Sequence, residues 1–281
     1  MGQLHIGPWS YDIEEAGVRG QPLVLLLHGF PQTNHTWRHQ LPALAAAGLH
    51  AVAPNQRGYS AGARPPALSD YHVELLVGDV LAMADALGAK QFHLVGHDWG
   101  GQIAWLTAAN HPDRILTLSV LSRPHPAAFA RAMKEDAVQS ERSKHHRAFQ
   151  SDDTVARLLA DDAKRLRRSL ADQGVGATDV DAYLSILSSP EALTAAVNWY
   201  RASAAMPGES ALAAKNVPAV TVPTLYIWGS ADATVGRMAA MTTAEYLQAI
   251  YTFVQLPGVG HFVTDQNVDA VNHALLTQIR R

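Results

Sequence analysis

The chain has 281 residues, of which 48% are hydrophobic, and a formal net charge of −3 from 22 basic and 25 acidic residues. This composition suits one globular core, with or without a modest second lobe, and excludes collagen-like and intrinsically disordered chains. The nearly balanced charge gives no reason to expect a nucleic-acid or membrane partner, and the lack of cysteine excludes disulfides, thiolate metal sites and a cysteine nucleophile.

The first twenty residues carry charged side chains, including Asp12, Glu14 and Arg19, and contain no apolar segment. They therefore do not resemble a secretory signal. The longest apolar runs elsewhere in the chain have the length of strands and are far too short to span a membrane. We therefore expect a cytoplasmic protein. The sequence leaves the oligomeric state open, a homodimer included.

Short apolar strands alternate with helices in the first part of the chain. An unbroken apolar run predicts a strand at residues 23–27, and short, largely apolar segments predict strands at 49–53, 91–95 and 115–121. Helical periodicity with terminal Gly or Pro predicts helices at residues 34–47, 71–87 and 100–110. This alternation indicates an α/β fold with a mostly parallel central sheet flanked by helices.

The alternation stops near residue 123 and returns after Pro223. Residues 123–215 show helical periodicity, clearest at 151–170 and 190–205, and one basic run at 164–168 that we interpret as a solvated helix face. Strands are expected again at 224–228 and 251–256, and helices at 238–248 and 265–280. We therefore predict a core of residues 1–123 and 216–281, interrupted by a helical cap domain of residues 124–215. A cap placed there would cover the sheet edge where open α/β sheets bind ligands.

Three residues with acid–base side chains follow predicted strands, namely Asp98, Asp232 and His261. Loops at the carboxyl ends of parallel strands converge on one site, so these residues can meet despite their separation in sequence. Their order along the chain is nucleophile, acid, base. Only the combination of all three predicts catalysis, because an isolated Asp or His is more often structural.

Asp98 lies in the run Gly96-His97-Asp98-Trp99-Gly100 between a predicted strand and a predicted helix. This run has the G-x-nucleophile-x-G form of a nucleophile elbow, with Asp at the position where Ser is usual. A carboxylate is ionised at neutral pH (pKa about 3.9) and needs no base to attack. The alternative, a helix N-cap, does not explain the flanking glycines or the suitably placed Asp232 and His261.

With these residues the sequence resembles the α/β-hydrolase superfamily, and specifically its epoxide hydrolase branch, over nearly the whole chain. The motifs that carry the resemblance are His28-Gly29-Phe30-Pro31, Gly96-His97-Asp98-Trp99-Gly100-Gly101, Asn198-Trp199-Tyr200-Arg201, Asp232 and Gly260-His261. The resemblance implies that the backbone N–H groups of Phe30 and Trp99 form an oxyanion hole. It also implies that Tyr200 points from the cap onto the epoxide oxygen.

The chain departs from the epoxide hydrolase pattern at a second cap tyrosine, expected about fifty residues beyond the nucleophile. The corresponding run contains His145 and His146 instead. His145 fits the register better, and histidine can also donate a hydrogen bond, but His146 stays open as an alternative. A third reading, two exposed histidines on a charged helix, is also open.

The resemblance implies attack of Asp98 on an epoxide carbon, formation of an alkyl-enzyme ester, and its hydrolysis by water that His261 activates and Asp232 helps to orient. No metal or organic cofactor is required. Trp37, Trp199 and His146 are expected in the substrate pocket with the residues above. These aromatic side chains suggest a small apolar or aryl epoxide, with water as the second substrate.

Several alternatives remain. Haloalkane dehalogenases share an Asp nucleophile followed by Trp, but usually carry Asn or an indole at the position of Phe30 and lack the cap tyrosine. Fluoroacetate dehalogenases place Arg at the position of Trp99. A non-catalytic relative that acts as a binding protein would often have lost a triad residue, and a serine esterase would need another nucleophile.

Overall fold

The computed structural model describes residues 2–205 and 217–281. Within these ranges an eight-stranded sheet has the order β1-β2-β4-β3-β5-β6-β7-β8. In chain order its strands are β1 (Gly2–Ile6), β2 (Trp9–Ala16), β3 (Leu23–Leu27), β4 (His50–Pro54), β5 (Phe92–His97), β6 (Ile115–Leu121), β7 (Thr224–Gly229) and β8 (Tyr251–Leu256). The pairs β1–β2 and β2–β4 are antiparallel, and the remaining neighbours are parallel.

Helices cover both faces of this sheet and fill the connection between β6 and β7. In chain order the α-helices are α1 (Gln40–Ala46), α2 (Val73–Ala86), α3 (Trp99–Asn110), α4 (Pro126–Glu135), α5 (Ala137–Arg142), α6 (Lys144–Ala148), α7 (Thr154–Ala171), α8 (Ala177–Leu187), α9 (Pro190–Ala205), α10 (Arg237–Thr242), α11 (Val263–Gln266) and α12 (Val268–Ile279). Short 3₁₀ turns precede α1 at Asn34–Trp37 and follow α10 at Thr243–Tyr246. No helix in the described ranges is both long and apolar enough to cross a membrane.

Strand β3 is apolar throughout because side chains on both faces of the sheet are buried. In β3, Leu25 packs into the core on one face of the sheet and Leu26 into the core on the other face, as the two-residue period of a strand requires. Each such side chain contributes about 1.5–3 kcal/mol when it is fully buried. The sheet therefore forms a rigid base whose carboxyl edge positions the loops that follow β5, β7 and β8.

The insertion between β6 and β7 consists of α4 to α9, and several of its helices contribute to the larger hydrophobic core. Its α7 is interrupted at residues 160–163, where Asp161, Asp162 and Ala163 all have positive φ. Polar contacts tie the insertion to the core, since Tyr183 of α8 donates to Asp265 of α11 at 3.0 Å. The division at residues 123/124 and 215/216 stays a prediction, and residues 206–215 of the predicted cap lie outside the described ranges.

The predicted fold class is confirmed, and four elements, β3, β6, β8 and α9, have the predicted bounds. Strands β1 and β2 were not predicted. In β2 the buried Tyr11 and Ile13 alternate with half-buried polar residues, so the sequence does carry a two-residue period there. Helix α8 was also not predicted as a separate element.

Candidate active site

The three acid–base residues predicted from sequence meet at the carboxyl edge of the sheet. His261 lies between the two carboxylates: its Nδ1 is 2.9 Å from Asp232 Oδ2, and its Nε2 is 3.6 Å from Asp98 Oδ2. All three side chains are buried. The imidazole can therefore exchange a proton on the Asp98 side while Asp232 fixes its orientation.

The backbone at Asp98 has the strained conformation of a nucleophile elbow. Its φ of 50° and ψ of −117° are rare for a non-glycine residue. The turn brings β5 and α3 so close that a Cβ at Gly96 would lie 2.3 Å from the Gly100 carbonyl oxygen. The glycine is thus a steric requirement for the turn that presents Asp98 to the cavity.

One carboxylate oxygen of Asp98 is held by the loop after β3. The backbone N–H of Phe30 donates to Asp98 Oδ1 at 2.9 Å, as expected of an oxyanion-hole donor. Trp99 is the first residue of α3, so its N–H has no acceptor within the helix and lies at the positive end of the helix dipole. Of the two N–H groups predicted to stabilise an oxyanion, that of Phe30 contacts the Asp98 side chain, and that of Trp99 follows Asp98 directly in the chain at the start of α3.

His261, the candidate base, is positioned by contacts to its imidazole ring and to its backbone carbonyl oxygen. Asp232 Oδ1 accepts hydrogen bonds from the N–H groups of Thr234 and Val235 at 2.7 and 2.9 Å, which fixes the carboxylate beside the imidazole. The carbonyl oxygen of His261 lies 2.9 Å from His97 Nε2 and accepts from Ser122 Oγ at 2.7 Å. Neither His97 nor Ser122 was assigned a role from sequence, because both act through the His261 backbone.

The opposite charges in this buried group shift the pKa values of Asp98 and His261 so that each ionised form is stabilised. Burial alone would raise the pKa of Asp98, but His261 holds it below its ordinary value. Burial alone would lower the pKa of His261, but Asp232 and Asp98 raise it above its ordinary value. The site at rest is therefore a carboxylate beside an imidazolium.

A cavity of about 340 Å³ opens above Asp98 between the core and the insertion. Both parts of the chain contribute to its wall: Phe30, Pro31, Asp98, Ala233, Thr234, His261 and Phe262 from the core, and Arg142, His145, Phe149, Leu158, Arg165, Leu166, Ser169, Gln173 and Tyr200 from the insertion. The sequence analysis did not identify Phe149, Arg142 or Arg165 as parts of this wall. No sequence motif marks these three residues, since their place depends on how the insertion packs on the core.

Tyr200 lies where the sequence analysis expects it, in the wall that faces Asp98. Its ring makes edge-to-face contacts with Phe149, Trp99 and Phe30, with centroid distances of 4.9, 5.0 and 5.6 Å. Burial raises the pKa of Tyr200 well above its ordinary value, and the Asp98 carboxylate adds to this shift. The phenol therefore keeps its proton and is available as a hydrogen-bond donor.

The two histidines on α6 face different spaces. His145 lines the cavity that contains Asp98, whereas His146 lines a separate cavity on another side of Tyr200. His146 packs against Phe129 and Tyr200 at centroid distances of 6.0 and 5.2 Å. Of the two positions left open by the sequence, the structure thus places His145 beside the nucleophile and His146 outside that cavity.

Two predicted pocket residues lie behind the pocket wall. Trp37 is fully buried in the core on the face of the sheet that packs against α1, together with Leu41 and Leu44 of that helix. Trp199 is buried beneath Trp99, with its ring centroid 5.9 Å away, and donates from Nε1 to the Arg57 carbonyl at 2.9 Å. The prediction that these residues contact substrate is corrected: aromatic character alone does not show on which face of an element a side chain lies.

In residues 2–205 and 217–281, no group of three or more His, Asp or Glu side chains has an arrangement that could hold a metal ion. The acid–base residues of the site are instead paired with one another. The arrangement suits attack by a carboxylate followed by base-assisted hydrolysis.

Comparisons with known proteins agree with this geometry. A family model described as the α/β hydrolase fold matches residues 22–268. The mouse protein named Epoxide hydrolase 4 is 34% identical over 267 residues, which cover 92% of this chain and 72% of that protein. Epoxide hydrolase A of Mycobacterium tuberculosis is 32% identical over 309 residues, covering 94% and 92%. A solved structure from a study of novel epoxide hydrolases in metagenomes from hot environments aligns with a TM-score of 0.85 at 29% identity, covering 99% of this chain and 97% of that one.

Proposed function

We propose that this chain, which belongs to the epoxide hydrolase branch of the α/β-hydrolase superfamily, is a hydrolase that converts an epoxide into a vicinal diol through an ester of Asp98. The observation that carries the proposal is that Asp98, His261 and Tyr200 line one cavity. A nucleophile, a base and a phenolic donor can then act on the same small molecule. A cytoplasmic location stays a prediction of the sequence, and the oligomeric state stays open.

The first step is attack by Asp98 on a ring carbon. Because Phe30 N–H holds Oδ1, Oδ2 is the oxygen free to attack. A bond forms between Oδ2 and the carbon, and the carbon–oxygen bond of the ring breaks. Tyr200 donates its O–H to the ring oxygen and transfers the proton as the alkoxide develops, so the leaving oxygen becomes the first hydroxyl of the diol. His145 lies in the same wall and is the proposed second donor.

The second step is hydrolysis of the ester. His261 takes a proton from water, and the hydroxide adds to the carboxyl carbon of Asp98. The negative charge then develops on Oδ1, which the Phe30 N–H already contacts and which the adjacent Trp99 N–H can also stabilise. When the intermediate collapses, His261 returns its proton to the departing alkoxide, and the proton of the new carboxylic acid restores Tyr200.

Formation of the ester also prepares the base for its task. In the resting site the Asp98 carboxylate contributes to the raised pKa of His261. An ester has no charge, so this contribution is lost when the substrate is attached and the imidazolium becomes more acidic. His261 can then pass its proton to solvent and act as a base in the second step, and it takes a proton back from solvent once the Asp98 carboxylate is restored.

The test is a parallel incubation with styrene oxide and with 1-chlorobutane, scored for diol and for chloride. The proposal predicts diol from the epoxide and no chloride above background. Chloride without diol would favour a haloalkane dehalogenase, and neither product would favour a binding protein. Asp98→Asn is the matched control that shows whether any product depends on the nucleophile.

A further inference from the structure

The cavity above Asp98 has a positively charged opening. Arg165 of α7 lines the cavity and is exposed to solvent, so it lies at the cavity mouth. Arg142 of α5 lines the same cavity, and its Nη1 donates to the carbonyl oxygens of Asp232 and Val235 at 2.7 and 2.9 Å. Arg165 is thus exposed to solvent, as the sequence interpretation of residues 164–168 expects, and it also lines the cavity.

Arg165 differs from the other arginines of its helix. Arg157 pairs with Asp153 at 3.4 Å, Arg167 with Asp162 and Asp181 at 3.1 and 2.5 Å, and Arg168 with Asp172 at 3.3 Å. Among the residues that the structure describes, Arg165 makes no ion pair with a carboxylate. A guanidinium that lines a cavity and has no acidic partner is available to bind an anion.

The helix presents more than one polar group to the cavity. Arg165 and Ser169 are four residues apart on one face of the helix, and Gln173 follows in the turn after its end; all three line the cavity. The opposite end of the wall, around Asp98, consists of Phe30, Phe149 and Tyr200 packed against one another. The cavity thus combines an aromatic region at the nucleophile with a polar, cationic stripe.

Of the described residues that line this cavity, Asp98 is the only one with a carboxylate. The anion that Arg165 can bind must therefore come from a ligand. We propose that the substrate is an epoxide that also carries a carboxylate, which Arg165 binds at the mouth while Asp98 attacks the ring in the aromatic region. This inference rests on the proposed function and replaces a purely apolar or aryl substrate with an amphipathic one.

The test compares two substrates that differ only in charge. Terminal epoxides on alkyl chains of graded length, ending either in a carboxylate or in the isosteric primary amide, are assayed for diol formation. At the best chain length the wild type should prefer the carboxylate by about 3- to 10-fold in kcat/KM, mainly through KM, because a partly exposed ion pair contributes modestly. Raising the salt concentration from about 0.05 M to about 0.5 M should reduce this preference.

Arg165→Gln should abolish the preference, and Arg165→Glu should reverse it, measured as the ratio of kcat/KM for the carboxylate and the amide. Arg168→Gln is the matched control, since Arg168 lies on the same helix but is paired with Asp172, and it should keep the wild-type preference. Diol formation with equal kcat/KM for carboxylate and amide would overturn the inference and leave the proposed function intact. The absence of diol from every epoxide would overturn the proposed function, and the inference with it.

Discussion

The Nδ1 atom of His145 lies 3.1 Å from the backbone carbonyl oxygen of Arg142. A carbonyl oxygen only accepts, so Nδ1 carries the hydrogen, and the neutral ring has an unprotonated Nε2. Burial lowers the pKa of His145 below its ordinary value. At neutral pH this side chain can therefore not donate from Nε2 to a substrate oxygen, and it becomes a second donor only when the ring takes up a proton.

This relationship predicts how ring opening depends on pH. The single-turnover rate constant for formation of the ester should rise as the pH is lowered from 7 to 5, by up to about 10-fold. This is less than the roughly 10²–10⁴-fold typical of general acid catalysis, because Tyr200 already donates to the same oxygen. Asp98 stays ionised over this range because its pKa is held below its ordinary value, and the resting His261 stays protonated because its pKa is raised. Rapid-quench measurements with an aryl epoxide provide the profile.

His145→Phe should remove the rise at low pH, whereas His146→Phe, which alters a residue outside the Asp98 cavity, should keep it. His145→Tyr should give a pH-independent rate, because a phenol donates throughout this range. A profile that is the same in the wild type and in His145→Phe would exclude His145 as a donor.

Tyr200→Phe tests the phenolic donor. The ring contacts with Phe149 and Trp99 should persist in this variant, so only the O–H is lost. We expect ester formation to slow by about 10²–10³-fold, as when one donor to a developing oxyanion is removed. Tyr246→Phe is the matched control, since Tyr246 stacks on His125 away from the cavity. A Tyr200→Phe rate within a few-fold of the wild type would show that the phenol does not stabilise the leaving oxygen.

Ser122→Ala tests the positioning of the base through its backbone. Ser122 donates to the His261 carbonyl at 2.7 Å, and His97 Nε2 lies 2.9 Å from the same oxygen. Removing one hydroxyl should cost about 1–2 kcal/mol of stability and should slow hydrolysis of the ester more than its formation. The measurement is the fraction of enzyme present as ester at steady state, which should increase. An equal slowing of both steps would indicate a general loss of structure instead.

Arg38→Gln tests how the insertion is held on the core. Arg38 Nη1 donates to Asp265 at 2.7 Å and Nη2 donates to Asp179 of α8 at 2.8 Å. The variant leaves the buried Asp265 carboxylate without its cation, so the free energy of unfolding in urea should fall by about 1–3 kcal/mol. Arg19→Gln, which removes an exposed pair with Glu15, should change it much less. Equal changes in the two variants would contradict a role for this network.

The sequence predicts the triad and the elbow well because each depends on local signals. Glycine is required at Gly96 because a Cβ there would lie 2.3 Å from the Gly100 carbonyl oxygen. Asp232 and His261 both follow apolar strands whose ends converge by the topology of a parallel sheet. Phe30 was predicted from the resemblance of the run His28-Gly29-Phe30-Pro31 to a motif of epoxide hydrolases.

The parts that sequence did not predict depend on tertiary packing. Arg165 belongs to a helix whose pattern looks solvent-exposed, and only the packing of the insertion places it at the cavity. Trp37 lies in the core between the sheet and α1. Its residue type cannot reveal on which face of the sheet it packs. Ser122 and His97 act through the backbone of His261, a residue far from both in sequence.

The most direct test of the central claim is the intact mass of the His261→Gln variant after incubation with an epoxide substrate. Because His261 is required only for hydrolysis of the ester, this variant should gain the mass of one substrate molecule, and peptide mapping should place it on Asp98. The double variant with Asp98→Asn should gain no mass. An unmodified His261→Gln protein that still binds the substrate, or an adduct on any other residue, would contradict the account.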